Sequence, residues 1–160
     1  MRSLLLALMM LVGFTAANAA EHPEARPFIE TADASRDIAV AMMAAAAEDD
    51  KKIVVVMGAN WCHDSRALAG WFATPRFATM LDERYRVVYV DSGSPQTGKG
   101  RNLDIARRFG IKKVKSTPLV FVLSPDGKLL NSRRDAVSWR NAGSRSEDSI
   151  YRYFATFTAG

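Results

Sequence analysis

The feature that most constrains the fold is an apolar run followed by a short polar turn that holds the only cysteine of the chain. The run, residues 52–57, is β-branched and apolar at successive positions, which is typical of a strand covered on both faces. The turn, residues 60–65, has the sequence NWCHDS, and a helix is predicted to begin within it and continue through residues 66–72. We therefore expect Cys62 near the surface at a strand-to-helix junction, where free backbone N–H groups and the helix dipole favour a thiolate.

A second motif follows 56 positions after Cys62, at Pro118, within the sequence KSTPLVFV of residues 115–122. Together the two motifs resemble the thioredoxin superfamily, whose active site is a Trp-Cys-x-x-Cys turn between a buried strand and a helix. The other signature of that superfamily is a proline with a cis peptide bond that opens a strand and faces the cysteine. The resemblance covers residues 32–157. It implies an α/β thioredoxin-like fold, with a central mixed β-sheet flanked by helices on both faces.

The resemblance also implies roles for the residues of the turn. In the family the first cysteine attacks a disulfide, and the second resolves the mixed disulfide that results. Cys62 matches the attacking residue, whereas Ser65 stands at the resolving position. We expect the Ser65 hydroxyl to hydrogen-bond to a Cys62 thiolate, and protonated His63 to stabilise that thiolate further. The catalytic candidates are Cys62, Ser65 and His63. The substrate-binding candidates are Trp61, Thr117 and Pro118.

Two groups that transfer protons in many members of the family are missing here. The buried carboxylate that lies six residues before the attacking cysteine is replaced by Val56. The lysine usually near it on the adjacent strand is replaced by an apolar residue, at about Val87. A protein without a resolving thiol has little need of a base to activate one. The two absences therefore argue against a dithiol reductase.

Two functions of different classes remain open for such a site. In the first, Cys62 is the single active-site cysteine of a CxxS protein and forms mixed disulfides with protein thiols, protein disulfides or small thiols, giving isomerase-like activity or thiol transfer. The alternative is a non-enzymatic module that holds an extended peptide in the groove between Trp61 and Thr117-Pro118. The reactivity of the Cys62 thiol distinguishes the two functions. The sequence leaves open whether the protein is an enzyme.

The N-terminal residues have the order of a secretory signal. Arg2 precedes an apolar stretch over residues 4–14, and small residues at 17–20 offer a cleavage site, so residues 1–20 are predicted to be a signal peptide. Residues 21–31 are predicted to be an irregular lead-in, and residues 32–160 to form the thioredoxin-like domain. The mature protein is expected to be periplasmic or secreted. No membrane span is expected after cleavage, because no later stretch is long and apolar enough to cross a bilayer.

The net charge and the histidine content limit the kinds of ligand and partner that the protein is expected to bind. Without Arg2 the chain carries 21 basic and 17 acidic residues, a net charge of +4. This excess is modest, and in its densest part, residues 107–115, aromatic residues do not interleave with the basic ones in a way that suggests nucleic-acid binding. No cofactor is expected. No metal site is expected either, because the only histidine besides His63 is His22, which lies in the lead-in. The oligomeric state does not follow from the sequence.

The remaining elements are predicted from periodicity and turn residues. Helices are predicted over residues 32–48, 75–83, 102–109 and 149–156, and strands over residues 86–91 and 118–123. The second strand is predicted to form a hairpin with residues 128–130. Residues 93–100 resemble a phosphate-binding loop, but Gly100 replaces its final Ser or Thr, so a flexible surface loop is predicted. Residues 131–146 are polar and are predicted to be irregular.

Overall fold

The computed structural model describes residues 22–48 and 51–158, so the predicted signal peptide lies outside the described residues. The helices are α1 (Ala34–Ala47), α2 (His63–Phe72), α3 (Pro75–Arg84), α4 (Leu103–Arg108), α5 (Arg133–Ser138) and α6 (Glu147–Ala155). The strands are β1 (Lys52–Gly58), β2 (Tyr85–Asp91), β3 (Gly93–Ser94), β4 (Lys99–Gly100) and β5 (Leu119–Leu123). Two short 3₁₀ segments are Pro95–Thr97 and Trp139–Ser144.

The central sheet is mixed and has the strand order β2-β1-β5. β1 runs parallel to β2 and antiparallel to β5. In this register Val56 of β1 lies between Tyr89 of β2 and Val120 of β5. The carboxyl end of β1 therefore meets the amino end of β5, which brings the two sequence motifs to the same edge of the sheet.

Both faces of the sheet are covered, as the unbroken apolar run in β1 predicts. Ile53 and Val55 face a core formed with α1 and α4, whereas Val54 and Val56 face a second core formed with α2, α3 and α6. This alternation follows from the two-residue period of a strand. The predicted α/β thioredoxin-like fold, with a mixed central sheet between two helical layers, is confirmed.

The long helices begin and end close to where the sequence predicts them. α1 is capped by Asp33, whose carboxylate accepts a hydrogen bond from the Arg36 N–H at 3.0 Å. α6 is capped by Ser146, whose hydroxyl accepts from the Ser149 N–H at 3.2 Å. Because Ser146 is the cap, α6 begins two residues earlier than predicted. These side-chain caps satisfy N–H groups that have no partner inside the helix.

The prediction that residues 131–146 are irregular is wrong. Most of them form α5 and the 3₁₀ segment Trp139–Ser144, and the buried residues of these two elements are Ala136, Trp139 and Ala142. Those three residues recur at intervals of three, which places them on one face of a tight helix. The buried face thus consists of only three side chains in a polar stretch. Because they are spaced by three residues, a search for the 3.6-residue apolar period of an α-helix does not detect them.

Two of the predicted loop features also differ in the structure. The predicted hairpin partner, residues 128–130, pairs with the end of β5 through a bridge between Leu123 and Leu129 and through backbone hydrogen bonds, but it does not form a regular strand. Residues 93–100, predicted to be a flexible loop, form a small ladder in which Gly93 pairs with Gly100 and Ser94 with Lys99. Gly98 adopts a φ of +79° in the turn of this ladder, a conformation that glycine reaches without strain.

The buried side chain of Asn131 extends the pairing along the edge of β5 beyond residues 128–130. Its Oδ1 accepts from the Val122 N–H at 3.0 Å, and its Nδ2 donates to the Val120 carbonyl at 2.9 Å. Nδ2 also lies 3.0 Å from the Tyr153 hydroxyl, which ties this edge to α6. The N–H of Leu130, just before Asn131, donates to the Val122 carbonyl at 2.8 Å. The Asn131 side chain thus continues the backbone pairing of residues 128–130 along β5.

We expect Asn131→Ala to lower the free energy of unfolding by about 2–3 kcal/mol, because it leaves a buried N–H and a buried carbonyl without partners. Urea denaturation followed by circular dichroism measures this change. Asn141→Ala is the matched control, since Asn141 is exposed and makes only a long contact to Arg145. Equal loss of stability in the two variants would contradict the role given to Asn131.

Candidate functional site

Cys62 lies between β1 and α2 and is the N-cap residue of α2. Its Sγ donates a hydrogen bond to the Thr117 carbonyl oxygen at 3.4 Å. Only 8% of the residue is exposed, so the expectation of an accessible thiol is wrong for this conformation. The thiol must be protonated to make this hydrogen bond. Attack on a disulfide by the thiolate therefore requires the Thr117 contact to break.

The peptide bond between Thr117 and Pro118 is cis, as the sequence motif predicts. Pro118 precedes β5 directly, and Thr117 is the residue that contacts the cysteine. The Thr117 hydroxyl is buried and has no hydrogen-bond partner among the described residues. The two motifs therefore meet at one place, where a thiol, a backbone carbonyl and a free hydroxyl are close together.

Trp61 is the exposed member of the predicted site. It is 54% exposed, and its indole Nε1 donates to the Gly93 carbonyl at 3.1 Å. The ladder of residues 93–100 thus holds the ring beside the cysteine turn. An exposed aromatic face held in this way is suited to contact an apolar segment of a bound chain.

Ser65 does not make the hydrogen bond to Cys62 that the sequence predicts. Its side chain is fully buried, and its hydroxyl accepts from the Ala59 N–H at 3.3 Å. A Cβ at Gly58 would lie 2.6 Å from this hydroxyl, so glycine there leaves room for it. In this structure Ser65 secures the end of β1 against α2 rather than stabilising sulfur.

His63 contacts two side chains of the lead-in, although no sequence pattern indicates that the lead-in lies beside it. Its Nε2 lies 2.9 Å from Nε2 of His22, and its Nδ1 lies 3.4 Å from Glu24 Oε1. Its side chain is 60% exposed. The premise that His22 lies apart from His63 is wrong, because residues 22–28 run across the start of α2.

Arg66 is a residue of this site that the sequence analysis missed. Its guanidinium donates to the carbonyls of Asn60 and Trp61 at 3.2 and 2.9 Å, and to Glu24 Oε2 at 2.8 Å. The hydrogen bond from Arg66 holds the pKa of Glu24 below its usual value, and the hydrogen bond to Glu24 in turn raises the pKa of Arg66. Arg66 thus fixes the cysteine turn and adds positive charge near the sulfur.

Further contacts join the lead-in and the 3₁₀ segment to the start of α2. The Ala25 N–H donates to the Arg66 carbonyl at 3.1 Å, and Phe28 is buried in the core below. From the other side, the Asp64 carboxylate accepts from the Gly143 N–H at 2.8 Å. Asp64 also lies in the first turn of α2, where a negative charge is favourable. The N-terminus of α2 is therefore held by segments distant in sequence.

Many members of the family have two proton-transferring groups below the turn. In this chain the corresponding residues are Val56 and its neighbour on β2, and neither transfers protons near neutral pH. Val56 is fully buried, and its partner on β2 is Tyr89 rather than Val87, which pairs with Val54. Burial raises the pKa of Tyr89 to about 12, so its hydroxyl stays protonated. The structure thus places Tyr89, and not Val87 as predicted, beside Val56. Neither Val56 nor protonated Tyr89 is a base near neutral pH.

A family description of thioredoxin-like proteins matches residues 33–125, which is more than half of the chain. The chain belongs to the thioredoxin-like family. It is similar to the crystal structure of a disulphide isomerase from Xylella fastidiosa Temecula1, with 30% sequence identity and a TM-score of 0.73 over 84% of this chain and 98% of that chain. An HIV epitope scaffold aligns at 16% identity and a TM-score of 0.43, over 81% of this chain and 87% of that one, which is too weak to bear on the fold. None of the curated proteins matches the sequence significantly.

The neighbouring Xylella fastidiosa structure is that of a disulphide isomerase, and this chain is similar to it in fold. This thioredoxin-like chain has one thiol, that of Cys62. Among the described residues, no helix combines the length and apolar character needed to cross a membrane.

Proposed function

We propose that the protein is an exported thioredoxin-like protein of CxxS type, in which Cys62 forms mixed disulfides and catalyses isomerisation or thiol transfer. The observation that carries the proposal is the contact of the Cys62 thiol with the Thr117 carbonyl beside Pro118, at the N-terminus of α2. This arrangement puts the attacking sulfur next to a backbone that an extended substrate can pair with. The helix N-terminus and Arg66 supply the positive potential that a thiolate requires.

The proposed reaction needs no second cysteine. The Cys62 thiolate attacks one sulfur of a substrate disulfide, the substrate S–S bond breaks, and the departing sulfur leaves as a thiolate that takes up a proton. A thiolate of the same substrate then attacks the substrate sulfur of the mixed disulfide, which forms a new substrate disulfide and returns Cys62. No electrons are transferred overall, so neither a redox cofactor nor a resolving residue takes part.

A non-enzymatic peptide-binding module is the second candidate, and the burial of Cys62 favours it. A thiol that is 8% exposed and hydrogen-bonded to a carbonyl is protected from attack in the unliganded protein. Trp61 would still offer an exposed aromatic face to an extended chain. In such a module Cys62 would have no chemical role.

Export is part of the proposal and rests on the order of charge, apolar segment and small residues at the N-terminus. The predicted cleavage follows Ala19 or Ala20. N-terminal sequencing of the protein recovered from the periplasm or the medium tests it. An uncleaved N-terminus in the cytoplasm would contradict export without affecting the thiol chemistry.

We expect Cys62→Ser to reduce the reactivation of scrambled ribonuclease to the uncatalysed rate, since it removes the only attacking sulfur. The wild-type protein should also form an adduct with the substrate that is visible on a non-reducing gel and disappears with dithiothreitol. Ser65→Ala is the matched control, because it alters the same turn without removing the thiol. Undiminished reactivation by Cys62→Ser, or the same binding of an unfolded peptide with no adduct, would favour the binding module.

A further inference from the structure

The lead-in brings three metal-ligating side chains together on the surface beside the cysteine turn. His22 Nε2 and His63 Nε2 are 2.9 Å apart, and the two rings meet edge to face with centroids 4.5 Å apart. Glu24 Oε1 lies 3.4 Å from His63 Nδ1. Each of the three residues offers a ligand atom, and these atoms all lie within 4.8 Å of one another.

We propose that His22, Glu24 and His63 form a binding site for a divalent transition-metal ion of the zinc class. Imidazole nitrogen and carboxylate oxygen are ordinary ligands of Zn²⁺, and two histidines with one glutamate leave a fourth position for water or another ligand. Two nitrogens that share a tetrahedral Zn²⁺ at about 2.0–2.1 Å lie about 3.3 Å apart. The two Nε2 atoms are 2.9 Å apart, so a small rotation of either ring would bring them to the separation that a shared ion requires.

The surroundings hold Glu24 in a position to act as a ligand. Arg66 fixes the Glu24 carboxylate by donating from Nε to Oε2 at 2.8 Å and, more weakly, from Nη2 to Oε1 at 3.3 Å. Oε1 lies on the side of His63 and would exchange the weaker contact for the ion. A hydrogen bond to the outer oxygen of a ligating carboxylate is a common support of metal sites. The guanidinium charge opposes a cation, but the exposed position of Glu24 and His63 lets solvent screen it.

The backbone positions of the three ligands are also defined by contacts. The hydrogen bond from Ala25 N–H to the Arg66 carbonyl fixes the lead-in immediately after Glu24. His63 is the first residue of α2, and Gly143 packs against its ring so closely that a Cβ there would lie 2.9 Å from it. A bound ion would join residues 22–24 to the start of the active-site helix. The proposal concerns these side chains alone and does not depend on thiol exchange at Cys62.

Titration of the metal-free protein with ZnCl₂ by calorimetry, with a phosphine reductant present, tests the site. We expect saturable binding of one ion per chain, and a loss of affinity of about tenfold or more in His63→Ala, in His22→Ala and in Glu24→Gln. Glu30→Gln is the matched control, because Glu30 is an exposed carboxylate close by in the sequence that pairs with Arg101 instead. Loading with CoCl₂ should give visible absorption bands in the wild-type protein that are lost in His63→Ala.

Cys62→Ser separates this site from binding at the thiol and should leave the Zn²⁺ affinity unchanged. The proposal is overturned if Zn²⁺ fails to bind, if removing both histidines leaves the affinity unchanged, or if Cys62→Ser abolishes binding. Both His22 and His63 have side chains at or near the surface, and circular dichroism of each variant checks that it is folded. Failure of the ribonuclease assay with intact Zn²⁺ binding would affect the proposed function and leave the metal site standing.

Discussion

Ser65→Cys is expected to form an internal disulfide with Cys62 and to raise insulin reduction in the presence of dithiothreitol by about tenfold or more, because resolution within one molecule replaces a slow step between two molecules. Cys62 is the N-cap of α2 and residue 65 is the third residue of the helix, so the two side chains lie within one turn. Side chains three apart on a helix are about 5–6 Å apart at Cβ, close to what a disulfide requires after a small adjustment.

The new sulfur must turn away from the position that the Ser65 hydroxyl now occupies. Leaving the Ala59 N–H without its acceptor costs about 1 kcal/mol, which the fold should tolerate. The activity should nevertheless stay limited, because Val56 and protonated Tyr89 provide no base to activate the second thiol. Thiol titration of the air-oxidised, denatured protein reports the bond, and Ser65→Ala is the control without a second thiol. Two free thiols in Ser65→Cys would show that the turn does not support the disulfide.

The part of the fold that the sequence predicts well is the part with a regular apolar period. Residues 52–57 are apolar on both faces, and they form a strand buried on both sides. α1 was predicted from its alanines and its cap at Asp33, and it lies within two residues of the predicted limits. In these segments local propensity, burial and capping favour the same structure.

The segments that were predicted wrongly have weak or unusual periods. Trp139 is buried in a stretch of polar residues, and its partners Ala136 and Ala142 are too small and too widely spaced to give an amphipathic signal. The edge of β5 is completed by the Asn131 side chain, and a single buried amide in a polar sequence cannot be distinguished from a solvated one. Both features depend on tertiary contacts that no local pattern encodes.

The sequence predicts the residues at the centre of the site but not the lead-in that surrounds it. Cys62, Thr117 and Pro118 come together as their two motifs predict, because each motif sits next to a strand of the same sheet. The contribution of the lead-in was missed, because it has no regular structure and binds α2 partly through backbone groups such as the Ala25 N–H. The contact between His22 and His63 follows from that docking and from no sequence pattern.

The burial of Cys62 links the structure to the two proposed functions. Under the proposed function, an incoming chain that hydrogen-bonded to the Thr117 carbonyl would displace the Cys62 thiol from it, so peptide binding would release the sulfur. An enzyme that uses such a site reacts with bound substrate faster than with a small free reagent. Alkylation of Cys62 by iodoacetamide should therefore be slow in the free protein and fast after denaturation.

Trp139→Ala is expected to lower the free energy of unfolding by about 3–5 kcal/mol, a large part of the total stability of a domain of this size. Trp139 is fully buried, and its ring packs on Tyr153 and Phe154 of α6 with centroids 4.9 and 5.3 Å away. Arg145 covers the other side, with its Cζ 4.0 Å from the ring centroid. Truncation would leave a cavity that these surroundings cannot close.

Trp61→Ala is the matched control for this variant, because Trp61 is 54% exposed and its truncation should change stability by no more than about 1 kcal/mol. Trp139→Phe should fall between the two, since it keeps an aromatic ring in the cavity. Under the proposed function the order of the effects on activity should be opposite to the order of the effects on stability. Trp61→Ala should weaken substrate binding in a stable protein, whereas folded Trp139→Phe should retain substrate binding. Urea denaturation and ribonuclease reactivation on the same samples measure both properties. Equal destabilisation by Trp61→Ala and Trp139→Ala would mean that the 3₁₀ segment does not contribute to the core as the structure indicates.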